Sequence, residues 1–226
     1  MTECIEMKEL EIINFAETPS LVSRYMLELR DTNIQRDPLR FRENLRRIGQ
    51  IMAYEISKRL RYEDVEVTTP LGTALCQQPA DKIVLGTILR AGLPFHEGFL
   101  SFFDKAENAF VSAYRKYKEK GDSFDVLVEY LASPRLEGET LLLVDPMLAT
   151  GSSMEAGYRA LLTKGTPAKV HIASVIGSKA SVDYIRSRFP ADTTLWIGAI
   201  DDEINAHSYI VPGLGDAGDL AYGEKD

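Results

Sequence analysis

Cysteine is scarce. The 226-residue chain holds two, Cys4 and Cys76, beside one Trp and three His. Their separation matches no metal-ligand spacing, and two free thiols fit a reducing compartment. Long apolar runs are missing: no stretch approaches the roughly 18 residues of a membrane span. The opening residues, MTECIEMKEL, carry neither a basic nor an apolar leader region, so no signal peptide is expected. Positive charge is in deficit, with 26 Lys and Arg against 34 Asp and Glu and a net charge of −8. Nucleic acids are held through clustered basic side chains, so nucleic acid is not expected as the main partner. A small phosphorylated ligand needs only a local basic pocket and stays open. Internal repeats, low-complexity blocks and a Walker-type Gly-Lys-Ser/Thr run are also lacking. Together these absences lead to a cytoplasmic protein with no membrane partner.

What is present is an ordinary globular composition, 45% hydrophobic and 27% charged. The chain is long enough to bury a core without disulfide or metal staples. Ser20 is placed to cap a helix over 21–31. A longer helix follows Pro38, where Phe41, Leu45, Ile48, Met52 and Ile56 recur at spacings of three or four. Its other faces carry Arg42, Arg46, Arg47, Lys58 and Arg59, read as a solvated or subunit-facing surface. Beyond 65–69 and a turn at 70–72, short apolar runs alternate with helical stretches. Strands are predicted over 82–89, 109–113, 126–130, 141–144, 170–176 and 195–200, and helices over 93–103, 152–163 and 181–188. That alternation predicts an α/β fold, a central mostly parallel sheet flanked by helices on both faces. The polar stretch 115–123, RKYKEKGDS, reads as a mobile hairpin or lid, and 134–138 as a turn. From 201 to 223 the chain is rich in Gly, Asp and Pro and has no helical or strand period. Such a long irregular stretch in a compact domain usually carries function.

One segment carries chemistry on its own residues. Residues 140–144 form a continuous β-branched and leucine run that ends in Asp145. Pro146, Met147, Leu148, Ala149, Thr150, Gly151, Ser152 and Ser153 follow, and a helix is predicted to start near Ser152. Ligands of open α/β sheets bind beyond the carboxyl ends of strands. A helix start there offers unpaired N–H groups and a partial positive charge, which suit a phosphate. Small residues let the backbone approach the anion, and Thr and Ser hydroxyls add donors. From these residues alone, a phosphate loop and a plain strand–turn–helix connection with a serine cap stand as equal alternatives.

The segment DPMLATGSS resembles the phosphoribosyl-diphosphate loop of the type I phosphoribosyltransferases. Its Asp-Pro, here Asp145-Pro146, is the form particular to uracil phosphoribosyltransferases. Residues 88–93, ILRAGL, are similar to that family's diphosphate-binding turn. Residues 209–219, YIVPGLGDAGD, with Asp201, Asn205 and His207 ahead of them, resemble its uracil-binding tail. Three positions depart from the family pattern: Pro94, Ser152 and Ser208 stand where it usually has glycine. Glu97 supplies the acid that follows the turn.

The resemblance implies a type I phosphoribosyltransferase-like domain over 1–226, with a helical N-terminal part (1–64), a core (65–200) and a C-terminal base-binding hood (201–226). It implies transfer of phosphoribose from phosphoribosyl diphosphate to uracil, giving UMP and diphosphate. In that reaction Arg90, Arg115 and Mg²⁺ hold the diphosphate, Asp145 the ribose hydroxyls, and Ala149 through Ser153 the 5′-phosphate, with Pro146, Met147 and Leu148 in the same phosphoribosyl-diphosphate-binding loop. Ile210, Gly215 and Ala217 contact uracil through their backbone. Asp216 faces the phosphoribosyl or metal side, and with Asp145 and Arg90 completes the expected catalytic set. A rigid backbone turn can read the carbonyls and N–H groups of uracil and reject larger or amino-bearing bases. The glycosidic bond breaks through an oxocarbenium-like state, so orientation and charge neutralisation are the expected tasks. His96, His171 and His207 are isolated and supply no clear general base; His171 starts an apolar strand and reads as structural. The family further implies a homo-oligomer, dimer or tetramer, and activation of some members by GTP. Two rival functions are transfer to another base, such as a purine, and a nucleotide-binding sensor that kept the pocket without turnover.

Overall fold

A computed structural model describes residues 10–117 and 124–224. The strand β7 (Thr140–Val144) shows why the chain folds in three layers. Leu141 and Leu143 enter one hydrophobic cluster, while Leu142 and Val144 enter another on the opposite side. A strand buried on both faces needs cover on both.

In chain order the elements are β1 (Glu11–Asn14), α1 (Leu21–Arg30), α2 (Pro38–Ser57), β2 (Tyr62–Thr69), β3 (Gly72–Pro79), β4 (Ile83–Leu89), α3 (Gly92–Leu100), β5 (Glu107–Tyr117) and β6 (Phe124–Ala132). After β7 come β8 (Met147–Leu148), α4 (Ser152–Leu161), β9 (Lys169–Ser178), α5 (Lys179–Arg188), β10 (Thr194–Asp201), β11 (Glu203–Ile204), β12 (Ile210–Val211) and α6 (Ala217–Tyr222). The main sheet runs β1-β10-β9-β7-β4-β5-β6, with β8 paired to β9. Its pairings are parallel except β5 with β6.

One face is covered by α1, α2 and α3, joined by tail residues Ile210, Leu214, Ala217 and Ala221. The other is covered by α4 and α5 through Met154, Tyr158, Leu161, Val182 and Ile185. Phe41, Leu45, Ile48, Met52 and Ile56 of α2 are buried, as their spacing predicts. Each such side chain contributes about 1.5–3 kcal/mol.

The chain leaves β4 toward β5 and leaves β7 toward β9, on opposite sides of the sheet centre. That divergence is a topological switch point, where open α/β sheets form a ligand crevice. Arg90 and Asp145 both stand just past strand ends at this switch.

Several sequence expectations need correction. The part ahead of residue 65 is not all helical: β1 pairs along β10 at the sheet edge, and β2 begins at Tyr62. The segment 72–79 is a strand, paired with β2 in register from Tyr62↔Pro79 to Thr69↔Gly72. The tail is not wholly irregular; it holds the β11–β12 hairpin and α6. The helix expected over 93–103 ends at Leu100, and the one over 152–163 passes into a 3₁₀ turn after Leu161. Arg42 is turned inward, donating to the Ala221 carbonyl at 2.7 Å. In the lid stretch, Tyr117 pairs antiparallel with Phe124, and the residues between lie outside the described ones, as does Cys4.

Candidate active site

The loop after β7 is held in place by the neighbouring strand β9. Val144 pairs in register with Thr87 and Ala173, which places Asp145 beyond the end of the central strand. The Pro146 carbonyl accepts from the Ile176 amide, and Met147–Leu148 pair with Ile176–Gly177. The Ala149 carbonyl accepts from the Ser178 hydroxyl at 2.7 Å. Strand β9 therefore fixes this loop along most of its length. Gly151 then takes φ +83, the left-handed region open to glycine, and Ser152 and Ser153 begin α4. A Cβ on Gly151 would sit 2.8 Å from Tyr184 Cδ1. The Thr150 and Ser152 hydroxyls are 2.7 Å apart, and Tyr184 donates to Glu155 on the next turn of α4.

Asp145 is buried, and burial pushes its carboxyl up from 3.8 to about 7. The Met147 amide, 3.4 Å away, opposes that shift only weakly. A carboxylate so placed lacks solvation, which favours its protonated form; a strongly shifted acid at a strand end marks a candidate site residue.

The turn after β4 stands beside it. The Leu89–Arg90 peptide is cis. A Cβ on Gly92 would meet Thr87 Oγ1 at 2.1 Å, so glycine lets this turn fold back tightly against the end of β4. Arg90 crosses to the C-terminal tail, where its Nη2 donates to Asp219 Oδ1 at 2.5 Å. Asp216 caps α6, its Oδ1 accepting from the amides of Gly218 and Asp219 at 2.8 and 3.0 Å.

The tail itself is braced from the first helix. Arg30 forms a two-pronged pair with Asp201, both contacts at 2.7 Å, and also donates to the Gly213 carbonyl. The Gly213 amide donates back to Asp201 at 2.8 Å. Burial acts to raise the Asp201 carboxyl, but the Arg30 and Gly213 hydrogen bonds outweigh it and leave it below the ordinary range. Gln35 Nε2 donates to the Leu214 carbonyl at 3.1 Å. Between these anchors Ile210 and Ala217 are buried, and Gly215 takes φ +93. The model of the uracil phosphoribosyltransferase family matches residues 17–224, which span all three loops.

The chain belongs to the uracil phosphoribosyltransferase family. A uracil phosphoribosyltransferase of Porphyromonas gingivalis is 61% identical over 216 residues, covering 96% of this chain and 100% of that protein. One of Methanothermobacter thermautotrophicus is 41% identical, over 83% of this chain and 85% of its own. The solved structure of the AQ2163 protein from Aquifex aeolicus superposes with a TM-score of 0.83 at 29% identity, covering 94% of this chain and 98% of that one.

Within that family frame, the three departures from the pattern differ in consequence. The left-handed backbone of the loop after β7 is at Gly151, and Ser152 is an ordinary first helical residue, so its side chain is tolerated. Pro94 lies in the first turn of α3, where a missing N–H costs little. Ser208 does occupy a position that favours glycine, with φ 62. Asn205 Oδ1 holds that turn by accepting from the amides of His207 and Tyr209, each at 3.0 Å.

The remaining candidates are accounted for. Arg115 lies on β5 opposite Val126, and its side chain is outside the described residues. His207 is exposed. His171 is buried and accepts from Trp196 Nε1 at Nδ1, and burial holds it down near 4, a structural role. His96 is buried in α3, and burial lowers its affinity for a proton. Asp219, within the tail motif, contacts Arg90 across 129 positions, a pairing that spacing along the chain does not reveal. Among the described residues, no group of three or more His, Cys, Asp or Glu is placed to hold a metal.

Proposed function

We infer that this chain is a glycosyltransferase of pyrimidine salvage, transferring phosphoribose from phosphoribosyl diphosphate to uracil to give UMP and diphosphate. The observation that carries the reading is the meeting of three distant loops at one switch point. Arg90 touches the tail at Asp219, Gly92 packs tightly against Thr87 on β4, and Asp145 lies buried at the end of β7, the strand paired with β4. The relatives' shared name does not favour transfer to another base or a turnover-free sensor.

The residue roles are part of this proposal, as is the grouping of residues 1–226 as one domain. Asp145 binds the ribose hydroxyls, which donate to its carboxylate and favour its ionised form. The loop amides from Ala149 to Ser153, at the start of α4, hold the 5′-phosphate. Arg90 and Arg115 hold the diphosphate as planar, multidentate donors. Backbone groups of Ile210, Gly215 and Ala217 read the edge of uracil. Asp216 orients the phosphoribosyl side. Mg²⁺ suits this donor set, since it favours phosphate oxygens, water and only one or two carboxylates. Asp216 would hold it, and its charge would offset that of the leaving diphosphate.

A homo-oligomer, dimer or tetramer, is supported by the β2–β3 hairpin. Its Leu71 and Leu75 are 100% and 69% exposed, and a lone two-stranded hairpin is marginal in water. Packing against a second copy would bury it. GTP activation rests on the family resemblance alone, and a cytoplasmic location on the charged substrate. No helix among the described residues is long and apolar enough to cross a membrane.

The test is UMP formation from uracil and phosphoribosyl diphosphate with Mg²⁺, with and without GTP, beside a mass measurement in solution. UMP binding without turnover would replace the reading with the sensor; turnover only with another base would replace the substrate.

A further inference from the structure

The Arg90–Asp219 pair joins two subsites that the reaction must fill with different ligands. Asp219 sits in the first turn of α6, and its carboxylate is about as exposed as its partner, 31% against 35%. Arg90 lies along the first turn of α6: a Cβ on Gly218 would approach Arg90 Nε at 3.3 Å and Nη2 at 3.6 Å. The far end of α6 is held independently, by Arg42 on the Ala221 carbonyl. Asp216 caps its start without touching Arg90 in any recorded hydrogen bond. Asp219 is thus the side chain that ties the diphosphate turn to the base-binding tail.

We propose that Asp219 is a positioning residue that keeps Arg90 docked on α6 until diphosphate takes the guanidinium, so that filling the diphosphate subsite loosens the hydrogen bonds of α6 while Arg42 and the buried alanines keep the helix in place. This rests on the reading of Arg90 as a diphosphate ligand. A half-exposed ion pair is weak, and a polyanion offers the same guanidinium more charge and more acceptor oxygens. Keeping both partners would set a carboxylate beside the diphosphate, an unfavourable like-charge contact. The exchange is therefore competitive. By linkage, whatever Asp219 takes from diphosphate affinity, diphosphate takes from the hold on α6.

Two measurements test this. In the unchanged chain, hydrogen exchange at the Leu220 and Gly223 amides, which close α6, should speed up when inorganic diphosphate saturates the protein. In Asp219→Asn, inorganic diphosphate should bind about 3- to 10-fold tighter, while ribose 5-phosphate, which does not use Arg90, binds within about twofold of the parent. Exchange at those amides that is unchanged or slowed overturns the proposal without recourse to any variant. Diphosphate binding that is equal or weaker in Asp219→Asn overturns it as well, as does parallel weakening of both ligands. Failure of the unchanged chain to bind diphosphate at all would instead remove the role given to Arg90.

Discussion

Replacing Asp145 by Asn should make the ligand-free protein more stable and the enzyme less active. Burial raises this carboxyl from 3.8 to about 7. That is a change of roughly a thousandfold in proton affinity, or about 4 kcal/mol. The sign follows from linkage. The folded state binds the proton more tightly than the unfolded chain, so the native state is favoured while Asp145 is protonated. That advantage is lost as pH rises from about 4 through about 7, and above 7 the folded protein carries a buried charge. An Asn at 145 keeps the shape and can still accept from the Met147 amide, without the charge. Urea unfolding at pH 8 should show a gain of about 4 kcal/mol for the variant as an upper figure, falling to about 2 kcal/mol at pH 5. UMP formation should drop, because a neutral amide holds ribose hydroxyls less well than a carboxylate. In the parent, kcat/KM should climb through pH 7 as Asp145 ionises. A variant that is less stable at pH 8, or whose gain is independent of pH, would refute the reasoning.

Further outcomes follow from the other anchors. Ser208→Gly should stabilise the chain by about 0.5–1 kcal/mol in urea unfolding, since it relieves φ 62 at a side-chain-bearing residue; a loss of stability would show that the hydroxyl matters more than the backbone. Arg30→Ala leaves Asp201 buried without its cation and should cost about 3 kcal/mol. It should also raise the KM for uracil more than that for phosphoribosyl diphosphate, and equal increases would argue against a brace specific to the hood. Gly151→Ala puts a Cβ against Tyr184 and forces a left-handed alanine, so UMP affinity by calorimetry should fall about tenfold; unchanged affinity would mean the loop relaxes freely.

The central strands were legible because they are buried twice. Runs such as TLLLV and IVLGTIL are apolar at nearly every position, and no other environment suits them. The hairpin arm β3 escaped notice for the opposite reason. Its sequence, GTALCQQP, has little apolar pattern because nearly all of it is exposed. Helix α6 is six residues long, too short to show a period, and is defined by the Asp216 cap. The candidate loop after β7 could be located by residue type, but not its geometry: the left-handed backbone lies at Gly151, beside the Ser152 that departs from the family pattern. The partners of Arg30 and Arg90 are 171 and 129 positions away, beyond any local pattern.

Those long-range partners bear on how the protein is made. The sheet from β4 to β10 and both its helical layers precede the tail in the chain, but the hood is closed only by residues from 201 onward. During synthesis the loop after β7 emerges well before the tail can meet Arg90 and Arg30. A chain that stopped short of Asp216 would lack Ala217 and Ala221, and the α1–α3 face of the sheet would lose part of its cover.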